Sequence, residues 1–176
     1  MMKSKIIALS VILSACSISP LALAADGTVN FTGEIIDAAC TVTNDPTNPL
    51  TVNLGKVART AFPSAGATAA PTKFTIKLTN CPATVSSAQI TFDGKADNGN
   101  NEVLALTAET GVATGVGVQL TDDDSTVVPL YTASKAYPLV ANQENDLNFI
   151  ARYISTADSV TAGPANSTTD FTITYN

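Results

Sequence analysis

The sequence predicts an all-β sandwich, and three observations carry the prediction. Apolar and polar residues alternate at period two in run after run, while a helical period is nearly absent. Thr is abundant and Glu, Lys and Arg are scarce, a composition that suits pleated, half-buried strands better than helices. Clusters of Gly, Pro, Asn and Asp separate the alternating runs at short intervals.

Residues 1–24 read as an export signal. Lys3 and Lys5 give a positive start, Ile6 to Ala15 form an apolar run too short to span a bilayer, and Ala22-Leu23-Ala24 supplies a small-x-small cleavage site. The mature chain is then expected to begin at Ala25 and to keep 152 of the 176 residues, with no later apolar stretch of transmembrane length. A second reading concerns the same segment: Leu13-Ser14-Ala15-Cys16 has the form of a lipoprotein box, with Cys16 as the lipidated residue. Against it, the residues after Cys16 stay largely apolar up to Ala25, where a lipoprotein has a polar tether. The intact mass of the mature chain separates the two.

The mature elements follow in order. Val29, Phe31, Gly33 and Ile35 share one face of an extended run, with Asn30, Thr32 and Glu34 on the other. Val52, Leu54 and Val57 mark a second short strand, and Thr60 to Thr72, rich in Ala, Gly, Ser and Pro, reads as a loop. Phe74, Ile76 and Leu78 alternate with Thr75, Lys77 and Thr79 and run into Asn80-Cys81-Pro82. Ile90 and Phe92 form the next strand, closed by Asp93-Gly94, and Asp97 to Asn101 is a strong turn signal. Val103 to Leu106 and Val116 to Leu120 are further strands; Leu147, Phe149, Ala151 and Tyr153 alternate cleanly, as do Phe171, Ile173 and Tyr175. Seven or eight short strands in one domain make a sandwich, with no repeat and no linker.

Charge and cysteine content narrow the function. The formal charge is −6, and removing Lys3 and Lys5 with the signal takes it to −8. That argues against a nucleic-acid binder, which needs a basic face to displace counterions. The chain has no His, which removes His-based triads, Cys–His dyads and the common zinc sites. No Gly-x-Ser-x-Gly motif is present, and no catalytic constellation, cofactor or metal site is expected. Asp122-Asp123-Asp124 reads as a solvated turn, since no EF-hand spacing follows it. The sequons at Asn30 and Asn166 are taken as incidental. Once Cys16 leaves with the signal, Cys40 and Cys81 remain as an even pair in an exported chain, which predicts one disulfide.

Two features are unusual for a sandwich. The first alternating run begins close to the expected N-terminus, as a free arm would, although it also fits an ordinary first strand. The last run, ending at Asn176, carries neither Lys nor Pro over Thr168–Asn176. A monomer ordinarily blunts an edge strand with such residues, so this edge is expected to accept a strand from another chain.

These segments together resemble the major subunits of type 1 fimbriae of the chaperone–usher pathway. The resemblance covers essentially the whole mature chain. It rests on Gly27 to Ile36 followed by Ala39-Cys40, on Leu54-Gly55-Lys56-Val57, on Phe74 to Cys81, and on Phe149-Ile150-Ala151-Arg152-Tyr153. It also rests on a C-terminal β-zipper with Gly163 fourteenth from the end and Tyr175 penultimate. The resemblance implies an incomplete immunoglobulin-like β-sandwich completed by a donor strand from another subunit. Residues 25–36 are then the donor arm and 37–176 the pilin domain. In the arm, Val29, Phe31 and Ile35 are expected to face a groove, with Gly27 and Gly33 where backbones come close. Gly163, Phe171, Ile173 and Tyr175 are expected to belong to the strand that walls the groove and is read by the chaperone. Implied partners are identical subunits, a periplasmic chaperone, an outer-membrane usher, and tip or adaptor subunits, with export through the periplasm to the cell surface. The arm departs from the family in being short, since only Ala25 and Asp26 precede Gly27. The resemblance leaves two roles, a repeated shaft subunit or a minor adaptor with a receptor-binding role; 152 residues leave no room for an additional lectin domain.

Overall fold

The structure, a computed structural model, describes residues 27–35 and 39–176. The expected signal peptide, the start of the arm at Ala25 and Asp26, and Ile36 lie outside the described residues. The chain divides into two units, residues 1–35 and 36–176. In the first, residues 27–35 form no regular secondary structure. The second is the sandwich.

Nine strands are described: β1 (Thr41–Val42), β2 (Thr68–Thr79), β3 (Ser87–Asp93), β4 (Ala96–Asp97), β5 (Asn100–Leu104), β6 (Val116–Asp122), β7 (Tyr137–Pro138), β8 (Asn145–Ser155) and β9 (Asp170–Tyr175). One sheet runs β1-β2-β8-β6-β5-β4 and the other β7-β3-β9, and the paired strands are antiparallel throughout. Register follows the hydrophobic alternation. Phe74 lies opposite Phe149 and Ile76 opposite Leu147 in the first sheet, and Ile90 lies opposite Ile173 and Phe92 opposite Phe171 in the second. A one-residue slip would turn each of these faces outward, so burial pins the pairing. Aromatic rings join the sheets: Phe149 packs on Phe92 at 5.2 Å, on Tyr137 at 5.4 Å and on Phe74 at 5.6 Å between ring centroids.

The structure corrects the sequence reading at several elements. The expected loop from Thr60 to Thr72 ends earlier, because β2 starts at Thr68. Pro71 has no N–H to give a ladder, yet it is accommodated where the register shifts between Ala69 and Thr72, beside Ala70 at φ +53°. Val103–Leu106 shifts to Asn100–Leu104, since Asn98 (φ +48°) and Gly99 (φ +82°) make a two-residue hairpin turn that starts β5 at once. The short strands β4 and β7 escaped the period-two reading because each has only two residues. Asp122 is not part of a solvated turn. It closes β6, is almost wholly buried, and accepts a hydrogen bond from the Tyr137 hydroxyl at 2.8 Å; Asp123 and Asp124 are exposed and pair with Lys135.

Cys40 and Cys81 form the expected disulfide, with their Cα atoms 4.1 Å apart. It ties the chain just before β1 to the end of β2. Crosslinking across a sequence separation of 41 residues should stabilise the fold by ~4 kcal/mol in the chain-entropy picture. A Cys40→Ser, Cys81→Ser double variant is therefore expected to lose about that much, read as a lower urea midpoint in equilibrium unfolding.

Candidate functional site: an apolar groove with a free strand edge

The site starts from the hydrogen-bond parity of β9. Asn176 and Ser87 exchange both backbone hydrogen bonds at 3.0 Å. Parity alternates along an antiparallel pair, so Thr174, Thr172 and Asp170 direct their N–H and C=O groups at β3. Phe171, Ile173 and Tyr175 direct theirs the other way, where β9 has no neighbouring strand among the described residues. The side chains of these same three residues are half-buried and pack on the core.

Facing that edge across a groove of about 1200 Å³ is the segment from Ala39 to Gly55. Here the expected strand at Val52 and Leu54 is present only as a burial pattern. Val52 and Leu54 are half-buried and Thr51, Asn53 and Gly55 exposed, but the segment forms no strand. The physical reason is the lack of a neighbour: none of residues 49–57 makes a backbone–backbone hydrogen bond among the described residues. A strand is defined by its ladder, and this side of the ladder is empty. The floor between the two walls is apolar, with Phe74, Ile76, Phe92, Val118, Leu120 and Tyr153 among its residues.

One end of the groove carries Cys40 and Tyr175; the other opens into a second cavity of about 440 Å³, which shares Gly55, Tyr153, Ala165 and Asn166 with it. Phe62, Ala113 and Val116 line that cavity, and Lys56 and Arg59 stand among its lining residues. Arg59 begins a single 3₁₀ turn, Arg59–Ala61. The sequence reading missed Arg59, just ahead of the expected loop, and Phe62, within it; no local pattern announces them.

Residues 27–35, taken by themselves, form no regular secondary structure, and their large apolar side chains are exposed: Val29 is 74% exposed, Phe31 92% and Ile35 98%. At Gly27 and Gly33 an added Cβ meets no atom within 4 Å, so nothing within this copy demands glycine there.

Comparison with known proteins agrees with this geometry. A family model described as "Fimbrial protein" matches residues 29–176. The chain belongs to the fimbrial protein family. It is 34% identical to long polar fimbria protein A of Salmonella typhimurium over 176 residues, covering 99% of this chain and 98% of that one. It is 43% identical to a type-1 fimbrial protein, C chain, of Escherichia coli over 152 residues, covering 85% and 83%. Among solved structures it resembles the Burkholderia pseudomallei antigen and type I fimbria protein at 41% identity, with a TM-score of 0.61 and coverage of 85% and 97%. The P pilus rod subunit PapA shares the fold at 21% identity and a TM-score of 0.65. The fold is thus the incomplete immunoglobulin-like sandwich of chaperone–usher pilus subunits. This chain is accordingly a fimbrial subunit, and the relatives named are fimbrial proteins.

Gly163 lies outside β9 and lines the second cavity rather than the main groove. Its requirement is local: a Cβ there would sit 2.1 Å from the carbonyl oxygen of Gly111 and 2.7 Å from the amide nitrogen of Ala113. The chain is held in that approach by the Ala113 N–H, which donates to Pro164 O at 2.9 Å. Tyr175 reaches the Cys40 end. Burial pushes its hydroxyl above the ordinary phenol range, and contact with the Cys40 backbone opposes that rise. Burial also raises Tyr153, and burial with the Asp122 hydrogen bond raises Tyr137 strongly.

Two outcomes follow from these contacts. Gly163→Ala should destabilise the sandwich by about 1–3 kcal/mol, because backbone rather than a movable side chain blocks the space; thermal unfolding of the variant checks it. The raised phenols leave stability intact below the unfolded-state pKa of about 10 and remove it as pH climbs past that value. Ultraviolet difference titration should find Tyr137, Tyr153 and Tyr175 ionising late, with the unfolding midpoint falling over the same range.

Proposed function

We propose that this fimbrial subunit is the repeating unit of a fimbrial shaft and that it polymerises by donor-strand exchange, residues 27–35 of one copy filling the groove of the next. The observation that carries this reading is a matched pair of deficits in one chain. Among the described residues, β9 offers backbone groups at Phe171, Ile173 and Tyr175 with no strand to receive them, and Val52–Leu54 faces them without a ladder. Meanwhile Val29, Phe31 and Ile35 present apolar side chains at strand spacing with nothing to cover them.

The energetics favour the exchange. Burying three such side chains at ~1.5–3 kcal/mol each gives about 5–9 kcal/mol before the cost of ordering the arm. Backbone hydrogen bonds to both walls add to this, as in other strand-addition complexes. Gly33 lets the inserted backbone lie close to the floor. Before assembly, an open groove of this size is an aggregation hazard, so a periplasmic chaperone covers it and an outer-membrane usher exchanges that cover for the next arm. A strand enclosed in a sandwich leaves slowly, which makes the polymer kinetically durable.

Deleting residues 25–33 should yield a folded, chaperone-bound monomer and no fibres, whereas fibres from the truncated chain would refute the donor role. Replacing Tyr175 by Asp puts a charge at the inward end of β9; chaperone capture and periplasmic yield should both fall. Electron microscopy of sheared fibres, with mass spectrometry of their main band, should find this chain as the major component, as a shaft subunit must be. A trace amount would make it an adaptor.

A further inference from the structure

Two cations at one end of the groove make no ion pair among the described residues. Lys56 and Arg59 are exposed and line the second cavity. Among the described residues the ion pairs are made by Lys77 and Lys135, and neither Lys56 nor Arg59 takes part in one. No acidic residue lines that cavity. The main groove is the reverse: its lining includes Asp45 and Asp170 and holds no Lys or Arg. On the arm, residues 27–35 contain one charged side chain, Glu34, which is exposed. It sits next to Ile35, on the face opposite Val29, Phe31 and Ile35.

From this charge pattern, and resting on the donor-strand reading above, we infer that Glu34 of an incoming copy pairs with Lys56 and Arg59 of the copy that receives it, and that this contact sets the register of the inserted strand. Along the main groove, the lining offers Glu34 carboxylates or neutral groups and no cation. At the second cavity, Ile35 turns inward toward Phe62 and Val116 while Glu34, one residue earlier, turns outward to the exposed cations. Strand alternation links the two placements. A slip of one residue sends the Glu34 carboxylate onto the apolar floor, at a large desolvation cost. A slip of two carries it away from both cations. The pair lies at a wet rim, so it is screened by salt and adds little to bulk affinity. Its contribution is to select one register and to speed productive encounter. Lys56 and Arg59 are thus positioning residues for strand exchange.

The test uses the full mature chain and its own fibres. Glu34→Cys is combined with Lys56→Cys in one variant and with Asp45→Cys in another; the fibres are oxidised, then boiled without reductant. A covalent ladder is expected from E34C/K56C alone. A ladder from E34C/D45C, or none from E34C/K56C in fibres that have formed, overturns the inference. Should the cysteine variants make no fibres, charge reversal decides. Glu34→Lys alone, and Lys56→Glu with Arg59→Glu, should each slow fibre growth about two- to fivefold at low salt, with the difference fading at high salt. The three changes together should restore growth; unaltered rates in the single-sided variants, or no recovery in the combination, overturn it equally. The arm deletion keeps the two ideas apart. Fibres from the truncated chain would end the donor-strand reading itself, whereas a fibre-free truncation beside unaffected charge variants ends only the ion pair.

Discussion

The unpaired edge of β9 is the constraint on which the rest of this molecule depends. Buried backbone donors and acceptors that lack partners are costly, and proteins satisfy nearly all of them. Here Phe171, Ile173 and Tyr175 hold their side chains on the core while their peptide groups look into an apolar groove. The opposite wall repeats the problem, since the stretch through Val52 and Leu54 has the burial pattern of a strand and none of its ladder. One added strand satisfies both walls at once and covers the floor between them, which is why a single segment of nine residues suffices in the proposed assembly.

The remainder of the sandwich is arranged so that this opening does not undo it. The sheets are joined by a knot of rings around Phe149, which is wholly buried beside Phe92 and Tyr137. The disulfide fastens the loosest wall at its root, next to β1, whose ladder to β2 is only two residues long. The groove's floor therefore belongs to a packed core held by long strands, β2 against β8 and β8 against β6. That division of labour suits the proposed assembly, in which the groove stays open until a strand fills it. It also fits the small number of charged groups in the groove's lining, Asp45 and Asp170: in the proposed assembly a carboxylate or ammonium on the apolar floor would have to be desolvated when a strand entered.

Much of this was legible in the residues because strand alternation is a local code. Phe74, Ile76 and Leu78, then Leu147, Phe149 and Ala151, then Phe171, Ile173 and Tyr175 declare their inward faces by spacing alone, and the structure places each as spacing requires. The pairing of Cys40 with Cys81 followed from counting. What local code misreads is any residue whose role is set by a distant neighbour. Pro71 signals a loop, yet a bulge opposite β8 absorbs it. Asp122 signals a solvated turn, yet the Tyr137 hydroxyl, fifteen residues on, lets it close a buried strand. Val52 and Leu54 signal a strand, yet no partner comes to them.

By itself, then, the sequence determined the class of fold, the inward faces of its long strands, the disulfide, and the presence of an apolar alternating segment ahead of Cys40. All of these depend on the order of apolar and polar side chains or on residue identity, which are properties of the chain before it folds. Only the tertiary structure decided that β9 and the Val52–Leu54 stretch face one another across an open slot, that a second cavity continues it past Tyr153, and that Lys56 and Arg59 stand there while Asp45 and Asp170 line the slot itself. Those facts arise from which segments are brought together across the sheets, and a hydrogen-bond vacancy or a local charge environment exists only once both of its sides are in place.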